Sequence, residues 1–182
     1  QWIHPGVDWY CVPAEPIKND VTARGVPRER VVVTGVPVAP EFSEPLDRSA
    51  ARLALGLSPR LPVLLVMAGS LGSLGRLMTA VRVIRDLPFS VQALVVTGQD
   101  SRLAARLKET LRGTGGRIRV FTYSNSVRQL MAASDLLVTK AGGVTLAEAL
   151  AAELPIVCFG SLPGQESRNA RFAAMTGVAL RA

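Results

Sequence analysis

Three stretches of this chain combine residue types that can grip a phosphorylated, hydroxyl-rich molecule. In "TKAGGVTLAEAL", Gly142 and Gly143 precede Val144 and Thr145, and Glu148 follows three residues later. If a helix opens here, Thr145 falls in its first turn, where a hydroxyl and neighbouring amides can hold a phosphate, and Glu148 faces nearly the same way. A carboxylate accepts two hydrogen bonds side by side, which matches the adjacent hydroxyls of a ribose. The same two residues also read as an ordinary helix-capping arrangement, and this stretch alone does not exclude that.

The second stretch, "MAGSLGSLGR", sets Gly69, Gly72 and Gly75 three apart around Ser70. Glycines let backbone N–H groups come close to an anion, and a helix start adds positive potential. The spacing is neither a Walker loop, since no Gly-Lys-Ser/Thr follows, nor the G-x-G-x-x-G dinucleotide fingerprint. A plain tight turn from strand to helix stands beside the phosphate reading. The third stretch, "GSLPGQESRNARF", carries Gln165, Glu166 and Asn169, three groups able to read sugar hydroxyls; capping and solvation of a final helix is its other reading.

These loops share one placement. Each follows a continuous apolar run of the kind that forms a parallel strand covered on both faces. The runs are "PVLLVMA" (62–68), "VQALVVTG" (91–98), "RIRVFTY" (117–123), "DLLVTK" (135–140) and "PIVCFG" (155–160), with helices expected near 73–86, 102–112, 126–133, 144–152 and 166–176. In the second helix Leu103, Leu107 and Leu111 recur at helical spacing, opposite Arg102, Arg106, Lys108, Glu109 and Arg112. Alternating strands and helices predict an α/β parallel sheet with helices on both faces, which gathers the three loops along the carboxyl ends of the strands.

Before residue 61 the texture changes. Residues 8–35 read as strand, helix and strand, the tail of a preceding α/β domain. Proline-punctuated chain over 36–46 reads as an interdomain connection, followed by one short helical stretch. The expected organisation is therefore a domain tail over 1–35, a linker and first helix over 36–60, and a main domain over 61–182. No internal repeat or low-complexity tract interrupts it.

Bulk composition narrows the chemistry. A 48% hydrophobic content is ample for a packed core, and no run approaches the ~18 apolar residues that span a bilayer. The first residues lack the basic-then-apolar pattern of a secretory signal. With one histidine, His4, and two cysteines, Cys11 and Cys158, no structural zinc site of usual spacing is expected, and Cys158 within "LPIVCFG" reads as a small buried hydrophobe. The formal charge of +7 suits an anionic partner or serves solubility alone. The arginines are dispersed and no RNA-stacking aromatic motif is present, so nucleic acid is not expected as a partner.

Taken in order, "HPGVDWYCVPAE", "VVVTGVPVAPEF", "MAGSLGSLG", "VVTGQD", "SDLLVTKAGGVTLAEAL" and "GQESRNARF" resemble the GT-B glycosyltransferases. Within them the likeness is to the processive and plant-type diacylglycerol sugar transferases, of which monogalactosyldiacylglycerol synthase is one, and more distantly to the peptidoglycan precursor N-acetylglucosaminyltransferase. The pieces run across nearly the whole chain. The resemblance implies the carboxyl-terminal half of a GT-B fold, a Rossmann-like domain that binds a UDP-sugar donor. Glu148 would then hold the ribose hydroxyls, and Gly142, Gly143, Val144 and Thr145 would surround the diphosphate. Gly69, Ser70 and Gly72 would face the phosphates and the acceptor entrance, Tyr123 and Ser124 would flank the uracil, and Gln165, Glu166 and Asn169 would read the transferred sugar. Lys140 would assist the diphosphate, or pair with a neighbouring acid.

The implied reaction is an inverting hexosyl transfer from a UDP-sugar to a lipid acceptor such as diacylglycerol. No Asp-x-Asp occurs, which fits a metal-independent site without a cofactor. The catalytic base would belong to the amino-terminal acceptor domain, so this chain is expected to be incomplete for catalysis and cut at both ends, before the closing helices of the family. His4, followed by proline, is expected to fix a turn rather than act as base, and Asp8 is no better candidate. Three other readings stay open: N-acetylglucosaminyl transfer to a polyprenyl-diphosphate precursor, a noncatalytic nucleotide-sugar-binding module, and a nicotinamide-type domain, against which the glycine spacing argues. Acceptor chemistry and charge together predict a cytoplasmic protein in peripheral contact with an anionic membrane surface.

Overall fold

We analysed a computed structural model that describes residues 3–67, 74–112, 115–124, 126–161 and 163–182. The chain divides into two compact units, Gln1–Ala39 and Pro40–Ala182.

In the first unit β1 (Tyr10–Val12) and β2 (Val31–Val33) pair in parallel, joined through α1 (Glu15–Ala23). Val12, Val26 and Val31 form its buried centre, with Tyr10 and Val21 packed against them. Strand, helix and strand fall where the sequence led us to expect them. His4 sits in a turn: its Nδ1 accepts the Gly6 N–H at 3.1 Å, and its carbonyl accepts the Val7 N–H and the Tyr10 hydroxyl.

The second unit opens with a 3₁₀ turn at Pro40–Ser43, which buries Phe42, and continues through α2 (Arg48–Ala54) to β3 (Val63–Met67). Then follow α3 (Leu74–Arg85), β4 (Gln92–Val96), α4 (Ser101–Thr110), β5 (Ile118–Phe121), α5 (Val127–Ala133), β6 (Leu136–Thr139), α6 (Gly143–Ala151), β7 (Ile156–Cys158), α7 (Gln165–Met175) and β8 (Ala179–Arg181). The six strands β3 to β8 form one sheet in the order β5-β4-β3-β6-β7-β8, and every pairing is parallel.

Strands buried on both faces favour apolar groups throughout, and β4 supplies them at Ala93, Leu94, Val95 and Val96, all buried, while buried Gln92 at its start accepts the Ser58 N–H. Alternation sends Val66, Ala93 and Val95 to one face, where Leu77, Val81 and Ile84 of α3 and Leu103 and Leu107 of α4 cover them. The other face carries Leu65, Leu94 and Leu137, all fully buried; α5 packs on β3 there and α2 packs on α5. Asp47 caps α2 by accepting the Ser49 and Ala50 N–H groups, and Asp100 caps α4 by accepting that of Leu103.

Two differences from the sequence reading matter. A sixth strand, β8, lies at the sheet edge; three residues with Leu180 exposed leave no two-faced apolar run to detect. The third apolar run of the sheet ends at Phe121 rather than Tyr123, because the chain turns there and Ser124 Oγ accepts the Ser126 N–H at 3.1 Å. Tyr123 and Ser124 therefore stand in a loop. Cys158 is buried in β7 as expected, and burial pushes its thiol pKa up.

Candidate functional site

The strand order creates a particular crevice. From β3 the chain moves outward to β4 and β5, whereas from β6 it moves the opposite way to β7 and β8, so the strand order reverses between β3 and β6. In open parallel sheets ligands bind at such a reversal, at the carboxyl ends of the strands. Thr139 fastens this point: its buried hydroxyl donates to the Met67 carbonyl at 2.9 Å, joining the last residues of β6 and β3. Gly69, Ser70 and Gly72, the candidates after β3, lie outside the described residues.

After β6 the chain enters α6 through glycine. Gly142 is the N-cap residue, in extended conformation, and no side chain caps the helix start. Gly143, Val144 and Thr145 make its first turn, leaving N–H groups and the positive end of the helix dipole for an outside partner. A serine or threonine at the cap would have occupied one of those N–H groups. Thr145 instead sits inside the helix, its Oγ1 3.8 Å from where a Cβ on Gly142 would stand. Val144 is 56% exposed. The capping-box reading of Thr145 and Glu148 thus lacks its geometry.

Glu148 follows one turn along α6 and is half-buried. No hydrogen bond or ion pair joins its side chain to another described residue. Burial raises its pKa above the ordinary glutamate value, and the Glu41 carboxylate adds to the shift. Glu41 arrives from the 3₁₀ turn at Pro40–Ser43, which packs against α6. A partly desolvated carboxylate without a partner is unfavourable on its own and is relieved by a donor such as a pair of hydroxyls.

The start of α7 converges on the same loop. Gly164 is its N-cap with φ +98° and ψ −124°, a conformation reserved for glycine, and this turns the chain so that Glu166 and Asn169 meet residues 140–143. Lys140 Nζ lies 2.7 Å from Glu166 Oε1, with the two side chains only 22% and 18% exposed. Asn169 Nδ2 donates to the Ala141 carbonyl at 3.0 Å, and a Cβ on Gly143 would stand 3.9 Å from that same nitrogen. Gln165 is exposed at the helix start.

The structure therefore brings Lys140, Gly142, Gly143, Glu166 and Asn169 together, with Thr145 and Glu148 on the helix that this loop opens. Tyr123, 67% exposed, and Ser124 lie apart, beyond β5 on the same sheet edge. With β5 three places from β6, that separation is about 14 Å at ~4.8 Å per strand. Such a span asks for an elongated ligand. Sequence reading missed Glu41, Thr139 and Ser161, whose Oγ is buried after β7 with no partner among the described residues. Glu41 and Glu148 are 107 positions apart in the chain, counting 148 less 41, so only folding reveals their approach.

Strand order and loop placement together define a doubly wound α/β domain whose ligand edge lies at the topological switch point. The family model for "Glycosyltransferase family 28 C-terminal domain" matches residues 63–180, and that for "Monogalactosyldiacylglycerol (MGDG) synthase" matches residues 1–38. The chain belongs to glycosyltransferase family 28, of which it carries the C-terminal domain. It is 32% identical over 180 residues to the processive diacylglycerol beta-glucosyltransferase of Bacillus subtilis (strain 168), covering 98% of this chain and 47% of that protein. This chain thus spans about half the length of the curated relatives it matches.

Solved structures share the fold. MurG of Acinetobacter baumannii superposes with a TM-score of 0.64 at 18% identity, over 97% of this chain and 60% of its own. The UDP-GlcNAc 2-epimerase of Neisseria meningitidis, bound to UDP-GlcNAc, gives a TM-score of 0.65 at 16% identity, over 95% of this chain and 48% of its own. An epimerase and a chain of this family share one architecture, so the fold alone does not select a reaction.

Proposed function

We propose that this chain is the donor-binding part of an inverting glycosyltransferase that moves a hexose from a UDP-sugar to a lipid acceptor such as diacylglycerol. The observation that carries the reading is the pairing of a helix start at Gly142–Thr145 that no side chain caps with the half-buried carboxylate of Glu148, which has no partner among the described residues. The first suits a diphosphate and the second a ribose. The diacylglycerol beta-glucosyltransferase activity of the Bacillus subtilis relative supports the lipid acceptor.

In this reading the diphosphate rests against the amides of Gly143, Val144 and Thr145, and Gly69, Ser70 and Gly72, outside the described residues, are assigned to the phosphates from the sequence. Tyr123 and Ser124 flank the uracil, and Gln165 and Asn169 face the sugar. The acceptor hydroxyl attacks the anomeric carbon as the bond to the diphosphate breaks, and a base from the amino-terminal domain takes the hydroxyl proton. Charge gathers on the leaving UDP, where the helix start stabilises it without a metal ion.

Calorimetric titration of the 182-residue chain with UDP tests the donor site. Binding by the natural chain, weakened about 10- to 100-fold in Glu148→Ala through loss of charge-assisted hydrogen bonds, is expected; equal affinity in the variant removes the ribose assignment. Transfer of radiolabelled sugar to diacylglycerol by the protein carrying both domains tests the reaction, and donor binding without turnover would leave a binding module. No described helix is long and apolar enough to cross a membrane. We place the protein on the cytoplasmic face of the membrane by peripheral contact with anionic lipid, an assignment withdrawn if neutral vesicles sediment it as well as anionic ones.

A further inference from the structure

We infer that Lys140 and Glu166 are positioning residues, a latch between the β6–α6 loop and the start of α7, and that neither touches the donor. This deepens the donor-site reading and rests on it. The family resemblance would send the lysine to the diphosphate and the glutamate to a sugar hydroxyl, while the ordinary reading of the lysine is a charge pair with a neighbouring acid. The geometry spends the two charges on each other: Nζ and Oε1 are 2.7 Å apart, with both side chains about four-fifths buried. A lysine so paired offers little net charge to a phosphate, and a carboxylate so paired offers little to a hydroxyl.

The latch has a reason in the local fold. Residues 140–143 contain two consecutive glycines, so the loop that presents the helix start has little stiffness of its own. Glu166 and Asn169 stand three apart on one face of α7 and grip that loop at adjacent residues, Lys140 by charge and the Ala141 carbonyl by an amide hydrogen bond. Helix α7 is fixed in turn by buried Ala170 and Ala173. Breaking the ion pair should release the amides of Gly143 to Thr145 from their register, whichever partner is removed. Equal consequence from either side is what separates a latch from two ligand contacts.

Calorimetric titration with UDP and with UDP-glucose decides it, using Lys140→Met, Glu166→Met, the double substitution, and the exchanged pair Lys140→Glu with Glu166→Lys. The latch predicts that each single change weakens UDP by a similar factor, about 3- to 10-fold, that the double change is no worse than either, and that exchange restores most of the loss. Loss of UDP affinity in Lys140→Met but not in Glu166→Met makes Lys140 a phosphate contact and overturns the inference. Loss confined to the UDP-glucose increment in Glu166→Met makes Glu166 a sugar reader and overturns it as well. If the natural chain binds no UDP, the donor-site reading itself falls, a result distinct from both. The neutral double variant keeps the comparison usable where a single buried charge impairs folding.

Discussion

Asp135 and Glu148 flank the same strand, β6, and the fold treats them in opposite ways. Asp135, at the amino end, has every oxygen engaged: Oδ1 pairs with Arg48 at 2.9 Å, and Oδ2 meets Arg52 at 2.5 Å and accepts the Val63 N–H at 2.8 Å. Arg52, itself buried, also donates to the Ala133 and Pro59 carbonyls. At that end charge is spent tying α2 to β3 and β6. Glu148, beyond the carboxyl end, is held half-buried beside another carboxylate with no described partner. A satisfied carboxylate fastens structure; the one without a described partner, near the switch point, is where our proposal puts the ribose.

The contrast can be broken most forcefully at the amino end. Asp135→Ala leaves Arg52 without its counter-charge and should lower unfolding stability by about 3 kcal/mol, read from the urea midpoint, while UDP affinity of the folded protein stays unchanged. A large loss of affinity there would merge the two ends into one functional unit. Glu148→Ala should do the reverse, with the affinity loss given above and no fall in melting temperature. A smaller effect is expected at Gly164, whose positive φ no other residue adopts without strain: Gly164→Ala should cost about 1 to 2 kcal/mol and weaken UDP-glucose through displacement of α7.

The finest test is titration. Glu148 binds its proton more tightly folded than unfolded, since burial and then Glu41 raise its pKa. Its contribution to stability is therefore present below the ordinary glutamate pKa and fades as pH rises through the folded value. Glu148→Gln should accordingly gain stability over the natural chain above that window and lose the advantage below it, measured as melting temperature against pH. The proposed ribose contact uses the ionised carboxylate, so on that proposal UDP affinity should fall as pH drops through the same window. Glu41→Gln should move that fall to lower pH, leaving the part due to burial; an unmoved limb would show that Glu41 does not act on Glu148.

Much of this was legible in the residues because parallel strands covered on both faces need uninterrupted apolar runs, and "PVLLVMA", "VQALVVTG" and "DLLVTK" are such runs. The double glycine ahead of "VTLAEAL" likewise marks a helix start, but whether Thr145 and Glu148 cap it was left open by the residues and decided by the structure. Edge strand β8 escaped because Ala179–Arg181 is short and half solvated, and the end of β5 was overrun because Tyr123 continues the pattern of a strand that has already turned.

Local pattern thus determined by itself that the chain forms strand–helix units and which loops terminate them, since side-chain periodicity and glycine conformation act within a few residues. Only the tertiary structure decided how charges are shared across those loops. It paired Lys140 with Glu166, 26 residues on, engaged Asp135 through α2, and carried Glu41 to Glu148. Whether an ionic group fastens the fold or waits for a ligand depends on what lies within a few ångströms of it, and that neighbourhood exists only once the strands have taken their order.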